Sequence, residues 1–107
     1  MKDVVFVYTT WPDTETADKA ARAAVEQRRA ACANRWAEIQ SVFCWEGALE
    51  TATETPVVFK TTGAAVAGLK QMILEMHPYE IPCILALPVS ASQSHAPFLS
   101  WVANEIG

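Results

Sequence analysis

The chain has 107 residues, 51% of them apolar and 19% charged, with a formal charge of -4. That length suits a single domain over residues 1–107, and its eight Lys and Arg form no cluster denser than Arg28-Arg29, which argues against nucleic acid as a partner. The longest apolar run, Ile81 to Val89, is broken by Pro82 and falls well short of the roughly 20 residues that span a bilayer, so no membrane segment is expected.

At the N-terminus Asp3 follows Lys2, and the apolar stretch Val4 to Tyr8 is shorter than the roughly 7 to 15 residues of a secretory core, so the expected compartment is the cytoplasm. Cys32, Cys44 and Cys83 are odd in number and widely spaced, which fits neither a disulfide framework nor a structural zinc site. They read as reduced, small core residues. Between Gly63 and Gly107 only Lys70, Glu75, Glu80 and Glu105 are charged, and the whole chain lies below the average charged fraction of about 25%. So small a domain cannot bury that much apolar surface alone, and association of identical subunits is the natural remedy.

Val4 to Tyr8 forms a continuous β-branched and aromatic run that predicts a strand covered on both faces or a central one, ending in a turn over Thr9 to Asp13. Asp13 or Thr14 caps a helix in which Ala17, Ala20, Ala21, Ala24, Val25 and Cys32 mark one apolar face over about five turns. Arg28 and Arg29 fall on or beside that stripe, as solvated residues of a fraying end or as contacts to a neighbour's carboxylates. Trp36 to Trp45 reads as one strand, Glu46-Gly47-Ala48 as a turn, and Thr51 to Lys60 as a second strand, polar first and then apolar. Together they make a long hairpin whose polar end projects from the core. Thr62 is placed to cap a second helix with Val66, Leu69, Ile73 and Met76 on one face, stopped by Pro78. Ile81 to Val89, with its two prolines, predicts a strand at an edge or one flanked by irregular backbone, and Phe98, Leu99, Val102 and Ile106 line a short last helix. The order βαββαβ plus a terminal helix predicts an α+β, ferredoxin-like antiparallel sheet.

Chemical motifs are scarce. The segment Gly63 to Lys70 is a poor phosphate loop because Lys70 is displaced by one residue and no Ser or Thr follows it. Neither G-x-S-x-G nor H-E-x-x-H occurs, and no Cys-His pairing has a local signature, so an enzyme is not expected. What stands out is His77-Pro78-Tyr79-Glu80-Ile81-Pro82, an imidazole, a phenol and a carboxylate held at a helix-to-strand junction by two prolines. His77 either ligates a metal or caps the carbonyls ending the second helix, while Tyr79 and Glu80 secure the turn.

Five segments in order resemble CutA, the divalent-cation tolerance proteins: Val7 to Asp13, Ala30 to Asn34, Ser41 to Gly47, Lys60 to Thr62, and His77 to Pro82. The likeness continues through Leu87-Pro88-Val89 to Trp101 and so covers nearly the whole chain. It implies a ferredoxin-like subunit and a tight homotrimer whose hairpins pair between neighbours, similar in architecture to the PII signalling proteins. It also implies an inter-subunit cleft lined by Trp45, Glu46, Lys60, His77, Tyr79 and Glu80, with no cofactor required and with copper or another divalent metal ion as a candidate ligand, metal-ion tolerance and copper binding being the family's usual labels. Some members of the family carry a second His before the Pro and a Cys at the first strand's end. Here Met76 and Thr9 stand at those positions, and Arg29 replaces a usually apolar residue. One imidazole with the Met76 thioether would suit Cu(I).

The resemblance therefore implies a metal-tolerance trimer with His77, aided by Met76, as the metal contact. The alternative is a PII-like signalling module whose cleft takes a small anionic metabolite, with Lys60 countering its charge and Trp45 or Tyr79 stacking on it.

Overall fold

The computed structural model describes residues 3–106. Met1, Lys2 and Gly107, the ends of the expected single domain, lie outside the described residues. The elements are β1 (Val4–Trp11), α1 (Thr14–Glu26), β2 (Cys32–Arg35), β3 (Ile39–Trp45), β4 (Ala48–Thr62), a 3₁₀ turn (Gly63–Ala65), α2 (Val66–Met76), β5 (Ile84–Pro88) and α3 (Ala96–Glu105). Every pairing is antiparallel, and the strands run β2-β4-β1-β5, with β3 continuing along β4 beyond β2. This is the expected ferredoxin-like α+β fold, with β5 at the edge.

The expected second strand is two strands. Arg35 opposes Val57 and Ile39 opposes Glu54, so the three residues 36–38 face only Thr55 and Pro56. That extra residue is a β-bulge, and it lies opposite Pro56, which has no N–H to give to a ladder. Trp36 N–H still reaches the Pro56 carbonyl at 3.1 Å. The bend directs β3 and the first half of β4 away from the core as a two-stranded arm. Its tip is a two-residue turn in which Glu46 (φ 49°) and Gly47 (φ 81°) are both left-handed, the twist that hairpins favour.

Period-two alternation divides the sheet. Val5, Val7 and Trp11 of β1 join Val57 and Phe59 of β4 beneath Ala17, Ala20 and Ala24 of α1 and Leu69 and Ile73 of α2. On the opposite face Val4 packs with Val102 and Ile106 at α3. The rest of that face carries Phe6, Tyr8, Trp36, Leu85 and Leu87, and the last three are about half exposed.

Other expectations shift. The first strand runs on to Trp11, because Thr9 and Trp11 face the core and the first residue to break the ladder is Pro12. Asp13 caps α1 as expected, accepting the Thr16 N–H at 2.8 Å. The helix stops at Glu26 and not at Cys32. Arg28 takes a left-handed conformation (φ 57°), the Arg29 amide reaches back to the Ala24 carbonyl, and Cys32 opens β2. Tertiary pairing with β4 overrides the apolar spacing there. Thr62 makes no capping hydrogen bond, because it ends β4 and leads into the 3₁₀ turn. Met72 and not Met76 completes the buried face of α2. Of the three cysteines expected in the core, Cys44 is exposed on the arm and Cys32 and Cys83 are half-buried.

Candidate functional site

The arm and the segment after α2 enclose a groove of about 650 Å³. One wall follows from strand alternation, since Ser41, Phe43 and Trp45 of β3 share a face with Glu50, Ala52 and Glu54 of β4. The other wall is Tyr79, Glu80, Ile81 and Cys83, with Thr10 between the two. Among the described residues the lining includes the carboxylates Glu50, Glu54 and Glu80 and no Lys, Arg or His.

This charge is felt locally. Burial raises the Tyr79 hydroxyl above its ordinary value, and the negative charges of Glu54 and Asp13 raise it further. Burial likewise raises the Cys83 thiol, with Glu54 adding to the effect and a hydrogen bond to Thr10 opposing it. The Tyr8 hydroxyl is raised first by burial and then by Cys83 and Glu54. A groove with this lining favours cations over anions.

Of the residues expected in the cleft, the chain brings together Trp45, Tyr79 and Glu80. Glu46 sits at the arm's tip, outside the lining. Lys60 belongs to a second groove, of about 460 Å³, on the open sheet face with Tyr8, Asn34 and Trp36. Its ammonium lies 5.6 Å from the Phe6 ring centre and 5.4 Å from that of Phe98.

His77 is buried behind the first groove, and its ring Nε2 is 2.7 Å from the Thr10 carbonyl oxygen. Its Nδ1 accepts the Tyr79 N–H at 3.1 Å. Met76 turns the other way and lines a small polar cavity with Gln27, Arg29 and Glu75. Within one chain, then, Met76 and His77 do not converge on one point, because α2 ends between them and His77 is already extended (φ -78°, ψ 131°). Among the described residues no three His, Cys, Asp or Glu are grouped closely enough to hold a metal ion. Glu50 and Glu54 were missed in the sequence. The two-residue turn at Glu46-Gly47 and the period of two would have placed them on the face of Phe43 and Trp45, Glu50 opposite Phe43 and Glu54 opposite Ile39.

The profile of the family described as CutA1 divalent ion tolerance protein matches residues 5–105. The chain belongs to the CutA1 family. It is 37% identical to the divalent-cation tolerance protein CutA of Archaeoglobus fulgidus over 101 residues, 94% of this chain and 96% of that protein. With the Thermus thermophilus protein of the same name it shares 35% over 107 residues, the full length of both. Mouse protein CutA is 38% identical over 95 residues, 89% of this chain and 52% of its own length, so the chain spans about half of that relative. Among solved structures, CutA1 from Ehrlichia chaffeensis superposes with a TM-score of 0.92 at 31% identity, covering 100% of this chain and 98% of that one. An Archaeoglobus fulgidus structure described as a periplasmic divalent cation tolerance protein gives 0.91 at 35% identity, covering 97% of this chain and 99% of that one. The ferredoxin-like CutA1 fold therefore extends over the arm as well as the core. Among the described residues no helix is long and apolar enough to cross a membrane.

Proposed function

We propose that this chain is a non-enzymatic divalent-cation tolerance protein that works as a homotrimer and takes up a divalent cation, copper foremost, at the groove beside the arm. The observation that carries the reading is the lining itself, with Glu50, Glu54 and Glu80 beside Trp45 and Tyr79 and no base among them. Three carboxylates concentrate a cation. Because the described residues of one chain do not group into an ion site, the remaining ligands come from a second subunit. The apolar surface fits this assembly, with Leu49 78% and Ile81 71% exposed and the sheet face left open. Cys32, Cys44 and Cys83 are unpaired, which suits the cytoplasm.

Calorimetric titration of Cu(II) into wild type and Glu54→Gln, with light scattering on the same samples, tests the reading. The expected result is a trimer mass at micromolar concentration and a weaker Cu(II) affinity in the variant. A monomer across dilution, or equal affinities, would sink it.

The second reading, a PII-like module taking an anionic metabolite, is favoured by one observation. Among the described residues Lys60 is the only charged one lining the second groove, beside Tyr8 and Trp36. Nucleotides titrated into wild type and Lys60→Ala decide it, since binding that depends on Lys60 is what it requires.

A further inference from the structure

We propose that His77 is a positioning residue for the acidic groove, whose neutral ring ties Thr10 to the turn carrying Tyr79 and Glu80 and is not itself an ion ligand. The inference rests on the cation reading of that groove for its functional consequence, but its structural content stands independently.

The last helical hydrogen bond of α2 is from His77 N–H to the Ile73 carbonyl, at 2.8 Å. Pro78 then forbids continuation, and the residue before a proline is driven to extended backbone, as His77 is. Its ring lies over the Trp11 indole, with centroids 4.3 Å apart and planes 29° apart, and against Tyr79 at 4.8 Å. The tautomer follows from the partners. A backbone N–H can only donate, so Nδ1 must offer its lone pair to Tyr79. A carbonyl can only accept, so the proton sits on Nε2 and is donated to Thr10.

Neither nitrogen has a lone pair left for a metal. Coordination would break one of two hydrogen bonds in a buried place, where an abandoned partner is costly. The same two bonds link two residues of the groove's lining, Thr10 and Tyr79. Thr10 lines it from β1, and Tyr79 begins the opposite wall, which runs through Glu80 and Ile81 to Cys83. Pro78 and Pro82 restrict the backbone on either side, so the Tyr79 amide is where His77 sets the wall's path.

The test compares wild type, His77→Gln and His77→Ala by hydrogen exchange at the Tyr79 amide and by calorimetry with Cu(II). A glutamine amide carries both a donor and an acceptor and is the conservative replacement; alanine carries neither. The expected result is Tyr79 exchange at least about tenfold faster in His77→Ala, the loss of about one buried hydrogen bond, with a matching fall in Cu(II) affinity. Both recover together in His77→Gln. The proposal requires Cu(II) affinity to follow Tyr79 protection across the variants. A His77→Gln protein with a protected Tyr79 amide but abolished copper binding makes His77 a ligand and overturns it. So does unchanged Tyr79 exchange in His77→Ala. If His77→Ala does not fold, His77→Gln against wild type carries the same comparison. If wild type binds no Cu(II), the cation reading fails, and Tyr79 exchange alone decides whether His77 positions the turn.

Discussion

Trp11 and His77 stack with ring centroids 4.3 Å apart, joining the end of β1 to the end of α2 directly behind the groove. Trp11 is fully buried, and its indole N–H donates to Thr9 Oγ1 at 2.8 Å, while Thr9 Oγ1 donates to the Val57 carbonyl at 2.9 Å. One indole thus ties two strands, β1 and β4, to the residue that ends α2.

Trp11→Ala is expected to cost about 3–5 kcal/mol, the range for truncating a large buried aromatic side chain. Urea unfolding of wild type and variant measures it. A loss below about 1 kcal/mol would mean that the site collapses around the cavity.

Asp13 gives a pH-dependent prediction. The Thr16 backbone amide, followed by its side-chain hydrogen bond, holds the carboxyl below its ordinary value of 3.8. A group depressed on folding contributes stability above its unfolded value and loses it as pH falls through the folded value. The stability gap between wild type and Asp13→Ala is therefore expected to be constant at neutral and mildly acidic pH and to close below about pH 4. Asp13→Asn, which still caps, should lack this dependence. Thermal melts across pH read it, and a gap that widened in acid would refute the sign.

The arm's tip can be improved. Glu46 sits at φ 49° without being a glycine, whereas Asn tolerates that region well. Glu46→Asn creates the preferred Asn-Gly turn and is expected to gain up to about 1 kcal/mol. Gly47→Val should move the other way by about 1–2 kcal/mol, from left-handed strain alone, since an added Cβ at Gly47 meets nothing within 4 Å. Denaturation midpoints of the two variants should bracket wild type.

The Cys32 and Cys83 thiols are both raised mainly by burial, partly offset by Lys60 at Cys32 and reinforced by Glu54 at Cys83. Both are expected to react more slowly than free cysteine with a thiol reagent near pH 8, because the thiolate is the nucleophile. Unfolding should make all thiols react at one rate. Native Cys83 labelling as fast as free cysteine would contradict the burial.

Much of the fold is legible in local pattern. Branched and aromatic runs mark β1 and β4, the alanine spacing marks α1, and Glu46-Gly47 marks the turn. The bulge opposite Pro56 is not, because a register shift of one residue is a relation between two distant segments. The alanine spacing also carries the α1 reading too far, to Cys32, since nothing local announces that residues 32–35 will be claimed by β4.

The site divides in the same way. A rigid His-Pro-Tyr-Glu segment ending α2 is legible in the residues, because proline restricts backbone wherever it stands, and the family resemblance implies Trp45, Tyr79 and Glu80 for one inter-subunit cleft. The folded chain adds Glu50 and Glu54 to the groove and, within one chain, puts Lys60 at a different groove and separates Met76 from His77. It also places the His77 ring between the Thr10 carbonyl and the Tyr79 amide. A ring nitrogen's availability depends on which carbonyl and which amide reach it, and Thr10, whose carbonyl oxygen lies 2.7 Å from Nε2, is 67 residues away along the chain.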